Sequence, residues 1–100
     1  MSISDPEQLR IHLLIELYRQ RAHEVPLAYL ESAARLHYAG FDHERVAAEL
    51  IYLQDKGFVA WRYAELGSRK LYRITAAGVD LMERDYANFV DQSPSTGSAG

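Results

Sequence analysis

Apolar residues recur at helical spacing along the first part of the chain. Leu9, Leu13, Leu14 and Leu17 form one stripe, and Ile11, Ile15, Tyr18 and Ala22 form a second. Asp5 suits an N-cap, Pro6 the first helical position and Gln8 the closing place of a capping box, so a helix is predicted over about 5–22. A helix apolar on two sides is either central or packed against a partner. Pro26 again fits a first helical position. Leu27, Leu30, Ala33, Ala34 and His37 follow at three- and four-residue spacings, which predicts a second helix over about 26–38. Gly40 supplies its stop, because glycine enters the left-handed conformation at little cost. Asp42 then caps a third helix, expected over about 42–56, with Val46, Leu50 and Leu53 as its inward stripe and Gly57 as its end. The second and third helices are joined only by the short turn Ala39-Gly40-Phe41.

After Gly57 the period changes from helical to twofold. Val59, Trp61 and Tyr63 alternate with Ala60 and Arg62. Beyond the turn Leu66-Gly67-Ser68-Arg69, Tyr72 and Ile74 alternate with Leu71 and Arg73. Two such runs around a glycine-containing loop predict a β-hairpin. Thr75 caps a last helix, expected over about 76–91, whose Val79, Met82, Tyr86, Phe89 and Val90 form a narrow apolar stripe. Residues 92–100 offer nothing to bury and are expected to be disordered, leaving a folded domain over 5–91. The fold class is therefore mainly α with a small β-hairpin.

Composition narrows the chemistry. One hundred residues, 48% apolar and 25% charged, suit one domain with a single core. The absence of cysteine excludes disulfides, thiolate metal sites and cysteine nucleophiles. No apolar run approaches the roughly 18 residues of a membrane span, and the first residues lack the basic flank and apolar stretch of an export signal. A cytoplasmic protein with no membrane partner is the expectation. A net charge of −3 argues against coating nucleic acid by bulk electrostatics. The charge is unevenly spread, however. Residues 42–56 sum to −2 and residues 76–92 to −3, whereas residues 60–75 hold Arg62, Arg69, Lys70 and Arg73 against Glu65 alone. An isolated cluster of this kind is usually a solvated hairpin; its position in the fold decides its meaning.

The order helix, helix, short turn, helix, hairpin, helix resembles a winged helix-turn-helix domain. The segment from Val46 through Leu50 and Leu53 to Gly57-Phe58-Val59 looks like a recognition helix running into a first wing strand. Tyr72-Arg73-Ile74-Thr75-Ala76-Ala77-Gly78 resembles the close of the second wing strand into a C-terminal helix in small bacterial and phage regulators of the PadR and MarR kind. The resemblance covers residues 7–91 and implies a transcriptional regulator that binds double-stranded DNA. The third helix would enter the major groove, about 12 Å wide. The wing would follow the backbone or the adjacent minor groove, where arginine is favoured. It further implies a homodimer through the first and last helices, with recognition helices about one DNA turn apart. The alternative is intramolecular: in so short a chain the last helix covers the first.

The DNA-contacting residues expected on this basis are His43, Arg45, Ala48 and Tyr52 of the third helix and Arg62, Arg69, Lys70 and Arg73 of the wing. The helix is the weaker half of that set. Its outward positions are His43, Glu44, Ala47, Ala48, Ile51 and Tyr52, whereas base-reading helices usually present Arg, Lys, Asn or Gln. Glu44 and Glu49 are expected to repel phosphate. Ala47 and Ala48 either touch thymine methyl groups or simply permit close packing. A neutral face with an aromatic anchor also suits a protein partner, so a winged-helix adaptor without sequence-specific DNA binding is the second reading. His23-Glu24 and His43-Glu44 begin like zinc-protease motifs, but no second histidine stands four places on. His12 and His37 read as structural. No metal, cofactor or catalytic triad is expected, and the chain does not read as an enzyme.

Overall fold

The computed structural model describes residues 6–37 and 42–85. In chain order it has α1 (Pro6–Arg19), β1 (Val25–Pro26), α2 (Leu27–His37), α3 (His43–Asp55), β2 (Val59–Tyr63), β3 (Lys70–Ile74) and α4 (Ala76–Asp85). The proposed cap at Asp5, the stop at Gly40 and the turn Ala39-Gly40-Phe41 lie outside the described residues. So do Tyr86, Phe89 and Val90 of the last predicted stripe, and the tail.

α1 is the central rod. It packs against α2, α3, α4 and β3, which accounts for its apolar character on two sides. Leu13 and Leu17 are sealed from solvent with Leu30 and Ala34 of α2, Val46, Leu50 and Leu53 of α3, and Met82 of α4. The second stripe is also used within the chain. Ile15 and Tyr18 pack against this core, and the Tyr18 hydroxyl donates to Glu83 of α4 at 3.1 Å. α4 therefore covers part of α1 itself. The helix ends at Arg19, three residues earlier than the periodicity predicts. There the backbone tightens, with Arg21 N donating to Tyr18 O at 3.1 Å and His23 N to Gln20 O at 2.8 Å. Ala22 is consequently off the helix and exposed.

Pro26 does not open the second helix as the sequence suggests. Val25 and Pro26 form a two-residue strand that pairs antiparallel with Tyr72 and Leu71. Helix and strand both accept the fixed φ of proline, and an edge strand tolerates its missing N–H. Burial of Val25 against the core decides for the strand, and α2 starts one residue later. The sheet thus has three strands in the order β1-β3-β2.

The expected hairpin is present, with Val59 opposite Ile74, Trp61 opposite Tyr72 and Tyr63 opposite Lys70. Strand alternation puts these six on the face that meets the core, and Ala60, Arg62, Leu71 and Arg73 on the other. Only the root of the hairpin is buried, at Val59, Tyr72 and Ile74. Tyr63 and the loop beyond it project into solvent.

Thr75 ties the wing to both neighbouring helices. Its hydroxyl accepts from Gly78 N at 3.1 Å, the N-cap bond of α4, and donates to Gly57 O at 2.6 Å. Gly57 has φ +84, a conformation favouring glycine, and sits in the turn from α3 to β2.

Candidate nucleic-acid interface

α3 is placed by its two sides. Asp42, in extended conformation, accepts from Glu44 N at 2.8 Å and so caps the helix. Val46, Leu50 and Leu53 point inward, each 1% exposed. His43, Glu44, Arg45, Ala47, Ala48, Ile51 and Tyr52 are all exposed. The two alanines therefore do not serve close packing within the chain. Ile51, at 58% exposure, is the most exposed of the large apolar side chains on this face.

Glu49 does not stand on the outer face. It is buried beside Val46 and Leu53, and its carboxylate accepts from Arg10 Nε of α1 at 2.8 Å. That bond is the main reason the Arg10 guanidinium holds its proton even more firmly than usual. The signal was present in the sequence: Glu49 falls three residues after Val46 and four before Leu53, on the inward stripe itself. Arg10 then does a second job. Its guanidinium carbon lies 3.7 Å from the ring centroid of Tyr52, while Lys56 Nζ approaches the same ring at 5.6 Å. Both cations thus approach the Tyr52 ring within cation–π range.

His43, at the N-terminus of α3, has its Nδ1 3.0 Å from the Glu31 carboxylate of α2. The contact fastens the two helices of the helix-turn-helix to each other. An open groove of about 340 Å³ beside them is lined by Asp42, Glu44, Arg45, Ala48 and Glu49, so Arg45 stands among three acids there. On charge alone, the helix face is a poor attractor of phosphate.

The wing differs. Arg69 is exposed in the loop, where its carbonyl accepts from Ala64 N at 2.8 Å. Gly67, with φ +90, makes the reversal of direction. Lys70 lies on the core-facing side, with Nζ 4.5 Å from the Trp61 ring centroid, and Trp61 meets Tyr63 edge-to-face at 5.0 Å. Arg62 and Arg73 are on the opposite face. Arg62 is already engaged: Nε and Nη2 each donate to Glu24 at 2.7 Å, and Nη1 donates to Tyr63 O at 3.2 Å. Nothing in the hydrophobic periodicity marks Glu24 as a wing residue; it precedes β1, a strand the periodicity does not reveal.

The eight expected contact residues therefore do not form one continuous strip. Four lie on the exposed surface of α3, and the wing cations divide between two sheet faces and a loop. Among the described residues, no group of three His, Asp or Glu side chains could hold a metal ion, and no helix is long and apolar enough to cross a membrane.

Three helices, a short edge strand, a two-stranded wing and a closing helix define a winged helix-turn-helix fold. Comparison with solved structures gives the same answer. The chain is similar to DNA-bound MepR of S. aureus, with a TM-score of 0.68 at 18% identity, covering 93% of this chain and 76% of that one. It is equally similar to a mutant of MepR from a multidrug-resistant S. aureus clinical isolate, with a TM-score of 0.68 at 16% identity. In that case 84% of this chain is covered, and it spans only 62% of the MepR chain. No family model matches the sequence, and no curated protein matches it.

Proposed function

We propose that this protein is a winged-helix transcriptional regulator that binds double-stranded DNA, with α3 in the major groove and the wing on the sugar–phosphate backbone. The observation that carries the proposal is the exposed, cationic wing beside an uncovered α3, in a fold shared with a protein whose structure includes DNA. In this reading Arg69, Lys70 and Arg73 meet phosphates, and His43, Arg45, Ala48 and Tyr52 approach base edges or the groove walls. A homodimer through the outer sides of α1 and α4 belongs to the same proposal. It would use what α4 leaves uncovered of the second α1 stripe, and sedimentation of the purified chain would test it.

The test of DNA binding is a salt titration on a mixed-sequence duplex. Several phosphate contacts make affinity fall steeply with salt, by about 0.9 logarithmic units per contact for each tenfold change. Replacing Arg69 and Lys70 together by alanine should weaken binding about tenfold or more at low salt and flatten the slope by about two contacts. Unchanged affinity would remove the wing from the interface. Exposed Ile51 favours the adaptor as the second reading. No duplex binding at low salt and tens of micromolar protein would select it.

A further inference from the structure

At the root of the wing, Arg62 and Glu24 form a fork-to-fork ion pair, with both carboxylate oxygens engaged at 2.7 Å. A guanidinium takes a phosphate with the same paired geometry. The third bond, from Nη1 to Tyr63 O, fixes the plane of the guanidinium. Arg73 shares the outward sheet face with Arg62, opposite Ala60 where Arg62 is opposite Leu71. The hydrogen bonds from Arg62, reinforced by the charges of Arg62 and Arg73, hold the Glu24 carboxyl below its ordinary range. It is ionised throughout neutral pH. The side chains of Arg62 and Glu24 remain 53% and 30% exposed, so the site is open to an incoming anion.

We infer that Arg62 and Arg73 form an anion site fitted to a DNA backbone phosphate, and that Glu24 occupies it and so sets the affinity of the wing. The inference rests on the DNA-binding reading above. It explains why so cationic a hairpin carries an acid from a distant part of the chain, donated by the segment that leads into β1. A built-in carboxylate lowers affinity for any phosphate, whatever the base sequence. Non-specific binding is thereby restrained, and base contacts from α3 decide where the protein stays.

The experiment measures binding of the full chain and of Glu24→Gln to a mixed-sequence duplex over a range of salt. Glutamine keeps the size and one acceptor but removes the charge. The variant should bind at least threefold tighter near roughly 0.1 M salt, with a slope steeper by about one phosphate contact. In an Arg62→Gln background the same Glu24→Gln change should give less than half of that gain, because its main beneficiary is gone. Thermal unfolding of Glu24→Gln within a few degrees of the parent would show that the wing is intact. Equal or weaker binding, or a gain that survives undiminished without Arg62, would overturn the inference while leaving DNA binding in place. If neither the parent nor the variant binds duplex at low salt, the DNA-binding reading fails, and this inference with it.

Discussion

α3 and the wing adjoin in sequence yet are held in opposite ways. The helix is fixed along its whole length by Val46, Leu50 and Leu53 in the core and by Glu49 on Arg10. The wing is buried only at its root, and beyond Trp61 its side chains are largely exposed. Charge runs the other way. The firmly held element presents a neutral to acidic surface, and the projecting one carries the cations. Burial supplies position, which sequence reading in a groove requires. Exposed charge supplies affinity, which backbone contact requires and which tolerates a looser geometry. In the DNA-binding reading proposed above, splitting these demands would let a chain of net charge −3 approach DNA through one small cationic projection.

The largest expected effect breaks the helix side of this contrast. Leu50 of α3 is 1% exposed and belongs to the core that α3 shares with α1. Leu50→Ala should lower unfolding free energy by about 2–5 kcal/mol, from lost burial and the cavity left behind. Chemical denaturation would measure it. Below the new transition the salt slope of duplex binding should stay close to that of the parent, since none of the proposed phosphate ligands is touched. A negligible stability loss would mean that the inward register of α3 is wrong. A large change in slope would mean that the helix, not the wing, carries the phosphate contacts.

Gly78 probes the seam between wing and α4. A Cβ built there collides with the carbonyl oxygen of Phe58 and lies 2.6 Å from Cγ1 of Ile74. Because one of those atoms is backbone, the sheet root or α4 must shift. Gly78→Ala should therefore cost about 1–3 kcal/mol despite the better helix propensity of alanine. A stabilised variant would show that this seam is loosely packed and that the wing root is less firmly seated than its burial implies.

The contrast also explains which features were legible in the sequence. Val46, Leu50 and Leu53, the Asp42 cap, the alternation of the hairpin strands and the Thr75 cap all follow from local spacing or local chemistry, and each is present as expected. Pro26 went the other way because a proline at a helix start and one on an edge strand look alike until Tyr72 and Leu71 are known to be adjacent. The pairing of Glu24 with Arg62 spans 38 residues, and that of Arg10 with Glu49 spans 39. Periodicity carries no information about such partners. What it can say is that Glu49 sits on the inward stripe and must find one. The candidate interface was thus legible as a list of residues, but the two ion pairs that shape it depend on tertiary proximity.

The smallest effect is expected at Thr75, where both regions are joined. Its hydroxyl serves α4 as an N-cap through Gly78 N and serves the end of α3 through Gly57 O. Thr75→Ala removes the acceptor and the donor together; the Gly57 carbonyl left behind is exposed and can turn to water, whereas Gly78 is buried and its N–H is not so easily satisfied. A cost of about 1 kcal/mol is therefore expected, within the range for caps. Thr75→Ser, which keeps the hydroxyl and loses only the methyl group, should recover most of it. The Gly57 bond adds a consequence that an ordinary cap lacks. Amide exchange should quicken in the α3–β2 turn as well as in the first turn of α4, because one side chain restrains both. If exchange quickens only in α4, the bond to Gly57 contributes nothing in solution. The wing would then be seated without help from the Thr75 side chain, by the burial of Val59, Tyr72 and Ile74 and by the pairing of β3 with β1, and the difference between a fixed helix and a loosely held hairpin would be wider than this hydrogen bond implies.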